Sequence, residues 1–246
     1  MTPPCACCAR SREHPAQQAK ATGETAIRHA TAAIAAVGKP AKIETAVTAE
    51  PAIGALIRAS ASAAMVCVGA VGLRHFQPGR VGSTAAAVAA SARCPVAIIR
   101  ARRDADGRTE DAEHIVVDVD GSPDNGVLLG AAVEEARVRK AALRAIIFRR
   151  PGPGGEATDT DGTGRALADL DRRLARWKRR HPDLRVESVA VTGGLLEYLA
   201  CHRDSVRLLV LGAHNHKHVS ELVGPAGSAI LRDTDCSLLV VDQRHL

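Results

Sequence analysis

Residues 65–100 read MVCVGAVGLRHFQPGRVGSTAAAVAASARCPVAIIR. Met65–Val68 is an apolar run closed by Gly69, and Pro95–Ile99 is another, rich in β-branched residues. Short apolar runs bounded by Gly and Pro suit strands buried on both faces, as in a parallel sheet. Between them lie Gly69, Gly72 and Gly82, followed by Ser83 and Thr84 at the head of an alanine-rich stretch. Glycine lets backbone approach a ligand closely. Ser83 and Thr84 sit where a helix starts, so free N–H groups and the positive dipole end point back at the loop. This arrangement predicts an anion site, most simply for phosphate. The same residues also read as a glycine-rich strand–helix turn with no ligand.

Gly69-x-x-Gly72, nine residues, then Gly82-Ser83 resembles the nucleotide loop of the universal stress protein family. The alanine-rich helix and the strand opening Cys94-Pro95-Val96 resemble the family as well.

Composition narrows the function classes. A chain of 246 residues is long enough for one large domain or two small ones. Aromatic residues make up 2% of it, so the cores must be built from Ala, Val, Leu and Ile. The net charge of +6 suits phosphate-bearing ligands. One Trp, one Tyr and two Phe make no stacking platform for nucleic acid, and no nucleic-acid partner is expected. No apolar run reaches membrane-spanning length, and the N-terminus lacks an apolar signal core. A cytoplasmic protein with reduced thiols is therefore expected, its seven cysteines being scattered. No nucleophile elbow, zinc-protease helix or Walker Gly-Lys-Ser/Thr is present, so no enzymatic activity is expected.

Taken in order, residues 1–16 read as a disordered tail. A helix over 17–37, a strand at Lys42–Thr48 and a helix at Ala52–Ser60 lead into the quoted stretch. Residues 102–113 form a charged linker between a first unit (17–101) and a second (114–243). The second alternates strand and helix: His114–Asp120, Leu143–Phe148, Leu184–Val191, Val206–Leu211 and Ser237–Val241 are its strands. Residues 151–164 read as a loop, and Leu167, Leu170, Leu174 and Trp177 mark a helix after it. Such alternation predicts an α/β fold with doubly wound parallel sheets. The units repeat: VCVGAVG corresponds to LVLGAHN, and SARCPVAII to DTDCSLLVV.

The chain therefore resembles a tandem universal stress protein. The resemblance implies sheet order 3-2-1-4-5 in a complete unit and adenine nucleotide at the carboxyl ends of strands 1 and 4, where the switch-point rule also places ligands. It also implies an internal pseudo-dimer through Pro95–Ile99 and Ser237–Val241, with a homodimer and an unspecified protein partner open as well. In the first unit the first two strands of the pattern are missing. Lys42–Thr48 is expected to slide in beside Met65–Val68, giving a three-stranded sheet.

By the resemblance, Asp120 is the strand-end carboxylate that holds adenosine, with Asp118 one step behind on the same face. Asp120-Gly121-Ser122-Pro123 is also a good turn and helix start. In the second loop Gly212 stands where Gly69 does, Asn215 replaces the second glycine, and Gly224 matches Gly82. Pro225 then replaces Ser83 and removes an N–H and a hydroxyl together. Gly227-Ser228 restores them only if the helix starts a turn later. Arg149 adds a bulky charge at the strand flanking adenine. ATP binding is accordingly expected to be weak at most, in a stress or dormancy regulator. Two alternatives remain: a nucleotide-free scaffold for a protein partner, and a metal or redox sensor. The sensor would use His214, His216 and His218 on a loop, or Cys5, Cys7 and Cys8, though neither group has the usual zinc spacing.

Overall fold

A computed structural model describes residues 15–38, 42–70, 81–100, 114–120, 125–149, 160–234 and 236–242. The linker 102–113, Gly72 and Cys5, Cys7 and Cys8 lie outside the described residues. The chain divides into two compact units, Met1–Pro51 and Ala52–Leu246.

In the first, helix α1 spans Pro15–Val37, so it starts inside the expected tail. Its apolar residues Ile34 and Val37 are 45% and 93% exposed. Gly23 leaves room on the helix for Val47, whose Cγ1 lies 3.5 Å from where a Cβ would sit. The expected strand at Lys42–Thr48 does not form, and every residue of it is exposed. The alternation of Ile43, Thr45 and Val47 encodes a one-sided strand, but a strand needs a neighbour to pair its N–H and C=O groups. Among the described residues none is supplied, and the three-stranded order expected for the first unit is not found.

The second unit carries one seven-stranded sheet. Its elements are α2 (Ala52–Ala59), β1 (Val66–Gly69), α3 (Ser83–Ser91), β2 (Val96–Ile99), β3 (His114–Asp118), α4 (Asn125–Arg139), β4 (Ala142–Arg149), α5 (Thr160–Arg180), β5 (Val186–Thr192), α6 (Leu195–Cys201), β6 (Val206–Gly212), α7 (His216–Val223), α8 (Pro225–Asp233) and β7 (Ser237–Val241). Helix α5 begins within the stretch read as loop. The strand order is β1-β2-β7-β6-β3-β4-β5. From β5 to β7 this is the 3-2-1-4-5 order, all parallel.

β2 and β7 pair antiparallel, with Val96 opposite Val240, Ala97 opposite Leu239 and Ile98 opposite Leu238. In the internal repeat Ala97 corresponds to Leu239, Val96 to Leu238 and Ile98 to Val240. The register therefore maps onto itself, and a local two-fold axis passes through the Ala97–Leu239 pair. β1 pairs in parallel with β2. The β1–β2 ribbon thus runs against the other five strands.

The inner strands β2, β3, β4, β6 and β7 each feed two cores by alternation. Ile115 and Val117 of β3 pack with Leu128, Leu129, Ala132 and Val133 of α4 and with Leu170 and Leu174 of α5. Val116, between them, joins Leu195 and Leu199 of α6, Val219 and Leu222 of α7, and Leu231 of α8. Val96 and Ile98 of β2 join this second core together with Val88 of α3. Apolar residues on both strand faces fix a sheet covered by helices on both sides. Gly227 lets α8 press on α7, because a Cβ there would collide with the backbone of Glu221 and Leu222. At the repeated positions Cys94 and Cys236 are buried small apolar side chains, and burial pushes the Cys236 thiol up to about 12.

Candidate nucleotide site

β3 and β6 are adjacent and parallel, and the crevice between their carboxyl ends is the switch point of the sheet. β3 delivers two carboxylates there. Asp118 ends the strand and is 4% exposed. Asp120 follows two residues later on the same side and is half-buried.

The segment leaving β6 meets both. The His214 ring lies over Gly212, where any Cβ would strike it. Its Nε2 is 2.7 Å from Asp120 Oδ2. Asn125, fully buried at the start of α4, donates through Nδ2 to the Asp120 carbonyl at 2.6 Å and to its Oδ1 at 3.0 Å. Both carboxylate oxygens of Asp120 therefore have a protein partner. Asn215 caps α7: its side-chain oxygen accepts from the His218 N–H at 3.2 Å. Its amide also donates to Asp118 Oδ2 at 3.0 Å. His218 Nδ1 is 2.5 Å from the same oxygen, and the two side chains are 15% and 3% exposed. The hydrogen bond to Asp118 raises the His218 pKa above its usual value, against a smaller opposing effect of burial. Phe148 of β4 closes the far side, its ring edge-on to His218 at 6.0 Å and to Tyr198 at 5.7 Å.

The histidines expected on a loop therefore sit differently. His216 opens α7 and is exposed, while His214 and His218 engage different carboxylates. Among the described residues, no three His, Cys, Asp or Glu side chains are placed to hold a metal ion.

Beyond α7, Gly224 ends that helix, and its N–H donates to the Ser220 carbonyl at 2.9 Å. It then serves as the N-cap of α8, which starts at Pro225 and not a turn later. Ser228 is buried, and its hydroxyl accepts from the Val81 N–H and donates to the Val223 carbonyl, both at 3.4 Å. It supplies nothing to a ligand. Arg149 is turned toward α5, where its guanidinium donates to Thr163.

β1 and β2 run against the rest, so Gly69 leaves the sheet at the end opposite Asp118, but the chain returns at Val81, whose N–H meets Ser228 of α8. The Gly82 N–H donates to the Ala70 carbonyl at 2.7 Å, and Gly82 caps α3. Ser83 is exposed and Thr84 partly so. Gly69, Gly82, Ser83 and Thr84 belong to the first loop, and Asp120, Gly212, Asn215 and Gly224 to the second site, the two touching through Val81 and Ser228. Sequence reading missed the Asp118–His218 pair. The i, i+4 spacing of His214 and His218 hinted at a helical turn, but pairing residues 100 positions apart requires the sheet order.

The Universal stress protein family model matches residues 9–100 and 112–242. The chain belongs to the universal stress protein family. Two matches mean a tandem arrangement, in agreement with the internal repeat. Universal stress protein Rv2028c of Mycobacterium tuberculosis is 51% identical over 226 residues, which is 92% of this chain and 78% of that protein. Universal stress protein Rv2624c of the same organism is 37% identical over 221 residues, 90% of this chain and 77% of that one. A universal stress protein from Archaeoglobus fulgidus superposes with a TM-score of 0.61 over 91% of this chain and 77% of its own, at 16% identity, a likeness of fold. Among the described residues, no helix of this universal stress protein is long and apolar enough to cross a membrane.

Proposed function

We propose that this universal stress protein is a cytoplasmic, non-enzymatic regulatory or binding protein of the stress or dormancy response that holds adenine nucleotide weakly at most. One observation carries the reading. At the switch point both carboxylate oxygens of Asp120 are engaged, by His214 and Asn125, and Asp118 Oδ2 is engaged by His218 and Asn215. A ribose hydroxyl would have to displace His214 from Asp120. A phosphate chain would then meet α7 and Pro225 where a glycine loop and a serine N–H serve other family members. Displacing a charge-assisted hydrogen bond costs about 1.5–3 kcal/mol, a loss of roughly ten- to a hundredfold in affinity.

Calorimetry with ATP tests this. The native chain should give a dissociation constant of about a millimolar or weaker, and His214→Ala should tighten it by roughly tenfold. Unchanged weak binding in the variant would mean that His214 does not guard the site.

The scaffold reading draws on a different observation. Among the described residues β1 pairs only with β2, so its outer edge presents free N–H and C=O groups, next to the 39% exposed Met65. An open edge is a template for a partner strand. Cross-linking from Met65→Cys should trap a partner only if the edge is used.

A further inference from the structure

Away from the switch point, at the end of the sheet where β4 and β5 begin, the chain gathers positive charge around a cavity of about 500 Å³. The last turn of α4, the turn into β4 and the α5–β5 connection wall it. Arg137, Lys140, Arg180 and Arg185 line it, together with one carboxylate, Asp183, and the imidazole of His181. Arg137 is shared with Glu134 through contacts of 2.8 and 3.1 Å. Among the described residues, the side chains of Lys140 and Arg180 have no ion-pair partner. His181 forms a flat wall, stacked on Trp177 with ring centres 6.5 Å apart and planes 12° apart.

Two helices end here, and their dipoles favour cations. That accounts for arginines in the last turns, but not for the cavity between the two segments, and not for Lys140. Lys140 follows the end of α4 with φ 53, a left-handed backbone in which glycine is the unstrained choice. A strained backbone position given to an unpaired cation that lines a cavity points to use of that cation.

We propose that this cavity binds a small ligand carrying two or more linked phosphate groups. Its volume suits a small molecule. Its cations come from two separate segments, Arg137 and Lys140 on one and Arg180 and Arg185 on the other, so a chain of phosphates reaches more of them than a single phosphate does. Arginine supplies paired donors and lysine a point charge, the combination that phosphate binding favours. Asp183 opposes the ligand and sets a preference for phosphate chains long enough to reach the cations on either side of it.

Isothermal titration of the full chain with inorganic tripolyphosphate tests the proposal. The expected result is saturable binding that weakens as salt is raised. Lys140→Gly and Arg180→Gln should each weaken it by about tenfold. Because glycine suits the left-handed position, Lys140→Gly should unfold at the same urea concentration as the native chain or higher, which separates lost binding from lost folding. Saturable binding that both variants leave unchanged would overturn the proposal, as would no saturable binding at all. Binding of a single-stranded RNA oligomer without binding of tripolyphosphate would overturn it too, and would assign the charge to a nucleic acid.

Discussion

His218 is held between Asp118, Asn215 and the edge of Phe148, and its raised pKa makes it a source of pH-dependent stability. A histidine whose folded pKa exceeds its unfolded value contributes fully below the unfolded value, about 6.5, and loses that contribution as pH rises through the folded value. Replacing His218 with Gln keeps a donor near Asp118 but removes the titration. The stability difference between native chain and His218→Gln, followed by urea denaturation, should be largest below about pH 6.5 and should shrink as pH rises through the raised folded value. A difference independent of pH would mean that the pair is not charged. At this scale the sequence showed half of the site. Asp120 was named through the family resemblance, since Asp-Gly-Ser-Pro by itself reads equally as a turn and helix start. Its occupant His214 was not, because a contact spanning 94 residues has none.

Among the elements, α7 is the clearest case of local signals outweighed in reading. Asn215 as a cap, Val219 and Leu222 three apart on the buried face, and Gly224 as a stop all specify a helix, yet the alternate histidines suggested a loop. Its packing against α8 depends on Gly227, where an added methyl group meets backbone and not a flexible side chain. Gly227→Ala should therefore destabilise the fold by about 1–3 kcal/mol, although alanine is the better helix former, as measured by urea denaturation. No loss would mean that α7 and α8 separate easily. The strands of the second unit were legible because apolar runs between Gly and Pro need only one reading. Lys42–Thr48 misled because alternation reports a side-chain pattern, whereas a strand also requires a neighbour for its backbone.

For the whole molecule, the repeat in the sequence becomes the symmetry of the sheet: the last strands of the two copies pair through a register that maps onto itself around Ala97 and Leu239. That pairing was legible because two apolar last strands need cover. It also sends the carboxyl ends of β1 and β3 to opposite ends of the sheet, while the two glycine loops meet through Val81 and Ser228. Neither cluster then has all the parts of a nucleotide site: one keeps the helix start beside the glycines, and the other keeps the carboxylate but fills it with His214 and α7. The most direct measurement is the nucleotide content of the purified protein after gel filtration, released by denaturation and identified by mass. The account predicts far less than one equivalent of adenine nucleotide per chain; a full equivalent of ATP carried through the column would contradict it.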